Sequence, residues 1–423
     1  MIRLMRVLAL CLAVGAGGRL AAAGTMLYAT AASQNRVDGF CVGDKGGGLA
    51  ASPSVSVALN GASPRRALVA NGVLYVGEDD RVEAFAIGPH GGLRRLTGTN
   101  HVDPAMRVAD MAFSPDGRTL YVAQNGYGRV VAYPLDAEGG LSPDFTSCIQ
   151  GKAGTSYLAI LVNGELLYTS EQLTDRIATF PIGADGSLPA APSTCVLGTT
   201  TVDRPPATAT GNVSCGANAC EKSVTKCCVG APRIACTADA DCDPLAGTSR
   251  TKITGLRSIL IVGDMLYAEA VDAKKIVAFR LQGNGLFAPS GLRPNGKKFL
   301  QQKAESRTAQ IFWYADLHFY AKSLIASQFK HGRIDAYRLK ADGKLPKQPT
   351  RFTKANVAAT PVRMTISPDG VLYVAGGELD SVQAFHLRPT DGLPARTPFS
   401  QTTVQTGSFP NDVALAVLSD GCS

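Results

Sequence analysis

Apolar and polar residues alternate along most of this chain, and the alternation comes in a recurring block. In Leu120 to Leu141 a strand, Leu-Tyr-Val-Ala, gives way to polar residues and Gly, then to a second strand, Arg-Val-Val-Ala-Tyr, and closes on an acidic Gly-rich turn before a Leu. The same block opens at Leu27, Leu74, Leu167, Leu266, Leu324 and Leu372, making seven copies. The opening Leu is followed thirteen residues later by an aromatic in six of them (Phe40, Tyr133, Phe180, Phe279, Tyr337, Phe385), and eleven residues later by Phe85 in the Leu74 copy. A basic residue starts the second strand in six copies: Arg36, Arg81, Arg129, Arg176, Lys275 and Arg333. Copies start 46 to 58 residues apart, except for a gap of 99 between Leu167 and Leu266. Strand-turn-strand units at this period predict propeller blades, none of which buries both sheet faces without its neighbours.

The turns order the strands. The apolar stretch that begins at Arg107 runs into Ser114-Pro115-Asp116-Gly117 before Leu120, and Ile366-Ser367-Pro368-Asp369-Gly370 repeats this before Leu372. These segments predict an innermost strand, with Leu-Tyr-Val-Ala second, the basic-led strand third, and an outermost strand after the Gly-Leu turn. The segment Pro410 to Gly421 reads as an innermost strand without a second, and Leu27 to Phe40 as a second and third without an innermost. Together they complete a blade. The expected fold is all-β, a seven-bladed propeller of four-stranded blades over residues 24–423, closed by strands from both ends of the chain.

Residues 1–23 carry Arg3 and Arg6, a short apolar run and Ala21-Ala22-Ala23, the pattern of a cleaved secretory signal. Cys11 raises a lipoprotein alternative, against which stand Leu10 before it and the short apolar segment upstream. No later stretch is long enough for a membrane-spanning helix. Forty-two basic and 34 acidic residues give +8, and loss of Arg3, Arg6 and Arg19 leaves +5. With no basic arm, that mild excess does not point to nucleic acid. A monomer in an oxidising compartment, secreted or periplasmic, is expected.

Ten of the eleven cysteines follow the signal, an even number that favours disulfides. Six of them, Cys215, Cys220, Cys227, Cys228, Cys236 and Cys242, fall in residues 202–251, a Pro-, Thr- and Gly-rich stretch between blades 4 and 5 that reads as a disulfide-stapled insert. It lacks His and Cys-x-x-Cys spacing, which argues against zinc. As a blade-to-blade connection it belongs on the upper face, where it either caps a site or is a decoration without ligand contact. The pairing of Cys41, Cys148, Cys195 and Cys422 stays open.

The repeat resembles that of the seven-bladed propeller lactonases, which include enzymes similar to 6-phosphogluconolactonase and to muconate cycloisomerases, and of the wider YVTN-repeat propellers. The resemblance implies a cofactor-free site with Gly-Pro-Arg-His on an innermost strand and a Glu one strand later. Here Gly154-Thr155-Ser156-Tyr157 leads to Glu171, so the Glu is present, while Ser156 and Tyr157 stand where Arg and His are expected. The Asn-Arg pair that often ends a later second strand is absent at Ala270-Val271 and Gln328-Phe329.

Opening a lactone needs a base for water and a group to hold the developing oxyanion. Glu171 is the candidate base. Counting seven residues back from each turn Gly or its equivalent gives Arg65, Asp110, Tyr157, Leu256, Tyr314, Arg363 and Ala414 as a column facing the axis. Arg65, Asp110, Tyr157 and Arg363 are thus candidate ligand contacts for a small anion, with His101 in an upper connection. The ordinary alternative is a wet ring of charges satisfying one another. His318, in the apolar run Ile311 to Tyr320, reads as a core residue, and Glu78, Asp79, Glu171 and Glu269 are scattered carboxylates with no evident shared metal. Two functions remain: a secreted lactonase-like hydrolase of a small carboxylated or sugar lactone, and a non-catalytic propeller that binds a ligand or protein on its upper face.

Overall fold

The computed structural model describes residues 24–43, 46–96, 106–150, 157–171, 176–189, 193–197, 243–244, 256–270, 275–286, 314–328, 332–346, 348–353, 361–404 and 409–422. Its strands form seven separate sheets. Blade 1 has the order Pro410–Val417, Thr25–Ala31, Arg36–Val42, Val55–Ala58, so the two ends of the chain share one sheet, with Leu27 opposite Leu415. Blades 2, 3, 6 and 7 are four-stranded meanders. Blade 4 carries a short parallel addition, Asp243–Pro244, on its outer strand Thr194–Leu197, and blade 5 shows three strands among the described residues. The insert cysteines at 215, 220, 227, 228, 236 and 242 lie outside the described residues, as do the signal segment and His101. No described helix is long and apolar enough to cross a membrane.

The spacing in the repeat is a cross-strand contact. Leu27 pairs with Phe40, Leu74 with Phe85, Leu120 with Tyr133, Leu167 with Phe180, Leu266 with Phe279, Leu324 with Tyr337 and Leu372 with Phe385. The shorter hairpin of blade 2 preserves the pair. These residues feed seven buried clusters, one in each interface between neighbouring blades, such as Tyr75, Val82, Val108 and Val122 between blades 2 and 3. Burial against two neighbours accounts for second strands that are apolar on both faces.

A second repeated contact joins blades. The Tyr of each Leu-Tyr donates its phenol hydrogen to the carbonyl of the turn Gly in the following blade: Tyr28 to Gly91 (2.7 Å), Tyr75 to Gly139 (2.7 Å), Tyr121 to Gly186 (2.9 Å), Tyr168 to Gly285 (2.5 Å), Tyr267 to Gly343 (2.5 Å) and Tyr373 to Gly47 (2.9 Å). The Gly has positive φ in every case, between +71° and +88°, and a Cβ on Gly186 would collide with Thr119 Oγ1. Blade 6 has Ile325 in place of Tyr, and there Ser323 Oγ donates to Asp391 O (2.6 Å). Cys41 and Cys422 form a disulfide that fastens the third strand of blade 1 to the residues just past its innermost strand. Cys148 is disulfide-bonded as well, and it occupies the same outermost-strand register as Cys195 of the next blade.

Candidate functional site

Six of the seven innermost strands, all but that of blade 2, carry one extra residue at the upper end, where the register with the second strand slips. Such a bulge re-aims a side chain and frees a backbone N–H. The freed N–H explains polar residues inside apolar strands. Asp412 N donates to Thr30 Oγ1 (2.9 Å), Ala159 N to Ser170 Oγ (3.2 Å), and in blade 5 the Ser258 N–H faces Glu269. Ala109, Arg257, Val362 and Asn411 sit in these bulges and line the channel mouth.

Below the bulges, strand register places Asp412, Arg66, Asp110, Ala159, Ser258, Asp316 and Arg363 on one level. Of the column expected by counting from turn glycines, Asp110 and Arg363 fall on it; Arg65 is one residue early, Tyr157, Leu256 and Tyr314 are two early, and Ala414 is two late. The turn glycine is a moving marker. It is second in the two-residue turn Asn71-Gly72 but first in Gly164-Glu165 and Gly263-Asp264, while the Ser-Pro-Asp-Gly turns are longer.

Each Asp on this level accepts its own following N–H and one from the next blade: Asp412 from Val413 (2.8 Å) and Ala67 (2.9 Å), Asp110 from Met111 and Ile160 (both 3.0 Å), Asp316 from Leu317 (3.1 Å) and Met364 (3.0 Å). Arg66 bridges Asp110 (2.6 Å) and Asp412 (2.8 Å). Arg363 stands 3.6 Å from Asp316 and donates to Ala109 O (3.3 Å), crossing the channel from blade 7 to blade 3. Burial opposes ionisation of Asp316, but His318, Arg363 and Arg66 hold its carboxyl below the usual range. Burial prevails at Asp412, which is raised despite Arg66 and Arg363, and at Glu269, raised well above the ordinary value by burial and then by Asp316 against the pull of Arg257 and Arg363.

One level further down stand Ala414, Leu68, Ala112, Leu161, Leu260, His318 and Thr365. His318 is not a core residue. Its Nε2 lies 2.9 Å from Asp316 Oδ2, and 30% of the side chain is exposed.

Above the charged level is a cavity of about 390 Å³ lined by Arg65, Arg107, Arg257, Arg363, Asn125, Asn411 and Ser258, with a few apolar groups and, among the described residues, no carboxylate. Arg65 and Arg363 both line this cavity; Asp110 lies just beneath, held by Arg66. Arg107 and Arg257 escape sequence reasoning because one occupies a left-handed position (φ +44°) and the other a bulge. Arg107 immediately precedes the innermost strand of blade 3 and Arg257 is the second residue of that of blade 5, and that position is the signal available in the sequence. Glu171 is fully buried, does not line the cavity, and ends its strand across from Arg176. In blade 3 the equivalent pair is Gln124 and Arg129, joined side chain to side chain. Tyr157 begins the innermost strand of blade 4. Among the described residues, no three of His, Cys, Asp and Glu stand together as a metal site.

Fold and resemblance coincide: this is a seven-bladed propeller similar to the lactonase type. The family model described as "Lactonase, 7-bladed beta-propeller" matches residues 111–200, from the innermost strand of blade 3 through blade 4. Among solved structures, a candidate 6-phosphogluconolactonase from Bacteroides fragilis superposes with a TM-score of 0.66 at 16% identity, over 95% of this chain and 100% of that one. A periplasmic gluconolactonase from Pseudomonas aeruginosa superposes with a TM-score of 0.64 at 15% identity, over 93% and 99%. A protein from Lactobacillus plantarum gives 0.66 at 13%, also over 93% and 99%. At these identities the likeness is one of fold. No curated protein matches the chain in sequence.

Proposed function

We propose that this chain is an exported, monomeric, lactonase-like propeller whose upper mouth takes a small carboxylated or sugar lactone and hydrolyses it. The observation that carries the proposal is the convergence of Arg65, Arg107, Arg257 and Arg363 on one cavity with no carboxylate among the described lining residues. Clustered guanidinium groups recognise carboxylate, and in an enclosed site they stabilise the oxyanion of a tetrahedral intermediate. Disulfides at Cys41–Cys422 and Cys148 and the fold shared with a periplasmic gluconolactonase support export. The closed ring, with no open edge between blades, supports a monomer.

The resemblance gives the base's role to Glu171, whose enclosure and distance from the lining leave the arginines as the firm part of the site. Those same facts, together with Ser156 and Tyr157 in place of Arg and His, favour a second reading in which the cavity binds an anion without turnover. Hydrolysis of a panel of neutral and carboxylated lactones by the oxidised protein separates the two. Arg107→Ala is expected to raise KM for a carboxylated lactone by about 10-fold and to leave a neutral one unchanged. Equal effects on both substrates would remove the anion-recognition role, and binding of carboxylates without hydrolysis of any lactone would establish the second reading.

A further inference from the structure

Glu171 is fully buried and does not line the cavity, and the channel contains another candidate base in a different blade. We infer that His318 is the general base of this site and that Asp316 is its positioning residue, an inference that rests on the hydrolase reading above.

The geometry is that of a held imidazole. Asp316 Oδ2 engages His318 Nε2 at 2.9 Å, and the carboxylate is itself fixed by the N–H groups of Leu317 and Met364. A carboxylate on one ring nitrogen sets the tautomer and leaves the other to accept a proton. Nδ1 has no partner among the described residues, and His318 is partly exposed in a level otherwise filled by Leu68, Leu161, Leu260 and small side chains. The other oxygen of the same carboxylate faces Arg363 at 3.6 Å, and Arg363 lines the arginine cavity. One carboxylate thus connects Arg363, at the floor of the arginine cavity, to the imidazole one level below.

In the step this implies, Nδ1 takes a proton from water as the water oxygen bonds to the lactone carbonyl carbon. The arginines hold the oxyanion. When the ring C–O bond breaks, the imidazolium returns the proton to the leaving alkoxide, and the product is the open hydroxy acid. The titratable and charged groups facing the pair are Arg363 on the innermost strand of blade 7, Arg257 on that of blade 5, Glu269 behind it, and Arg66 and Asp412 across the channel.

The test compares wild-type protein, His318→Gln, Asp316→Asn and Glu171→Gln against a carboxylated lactone across pH. His318→Gln should lower kcat by about 100-fold or more with KM nearly unchanged, and abolish the acid limb of the kcat/KM profile. Asp316→Asn should retain part of the rate with that limb displaced. Wild-type turnover that survives His318→Gln with the same acid limb, but is lost in Glu171→Gln, would overturn the inference and leave the hydrolase reading standing. No turnover by the wild type would sink both. If the variants fail to fold, ring NMR signals of His318 in the wild-type protein should shift on saturation with the hydroxy-acid product. Signals that do not move would also overturn the inference.

Discussion

Glu78 shows how a single carboxyl sets a pH dependence. It directly follows the second strand of blade 2, Val73–Gly77, is fully buried, and neither oxygen has a hydrogen-bond partner among the described residues. Burial first, then Glu83 and Asp80, push its pKa from 4.5 to about 9. The unfolded chain releases this proton near pH 4.5 and the folded chain keeps it, so stability is fullest at low pH and falls as pH rises towards 9. At neutral pH the cost is on the order of 3 kcal/mol. Glu78→Gln is expected to raise the urea midpoint at pH 7 and to flatten its decline between pH 5 and 9; an unchanged profile would mean that Glu78 ionises freely in the folded protein. At this scale the sequence was only partly legible. Arg65 and Arg363 stand out by residue type, whereas Asp316, Asp412 and Arg66 disappear when the column is counted from a turn whose length varies. The proximity of His318 to Asp316 is written as His two positions after Asp, but the apolar run around it pointed to the core.

The contact between each second-strand Tyr and the turn Gly of the following blade explains why two separated motifs recur together. Leu-Tyr and the Gly-Leu turn are legible as repeats, but their contact is not, because the partners lie 63 to 117 residues apart in five of the six pairs and 326 apart in the sixth. Tyr121→Phe removes a buried donor and leaves Gly186 O unpaired, at an expected cost of about 1–2 kcal/mol by urea denaturation. Gly186→Ala should cost more, roughly 2–4 kcal/mol, because the residue has φ +78° and its Cβ would meet Thr119. If Gly186→Ala were the milder of the two, the turn would have to relax away from Thr119. The strands themselves were legible in order and pairing because the Leu-to-aromatic spacing is a cross-strand contact, which a two-residue change in the blade 2 hairpin leaves intact.

The ring closes in blade 1, where Thr25–Ala31 lies beside Pro410–Val417 and Cys41 is bonded to Cys422. Closure was legible because each end of the chain lacks the strand that the other supplies; the cysteine pairing was not, because sequence does not show which ends of the blade-1 strands meet. Cys422→Ser is expected to cost roughly 2–5 kcal/mol, measured as a lower thermal midpoint under oxidising conditions. A midpoint equal to that of the parent would show that the strand ladder alone secures the ring. The seam also sets a clock. The closing cysteine is made 381 residues after its partner, which at ordinary elongation rates of about 5–20 residues per second is roughly 20–80 s. Throughout that interval blade 1 lacks its innermost strand, and the growing arc exposes an unfilled flank at each end. Any chaperone or transport machinery that acts on unfinished chains therefore has the whole of synthesis in which to engage this one, and the final strand ends that opportunity.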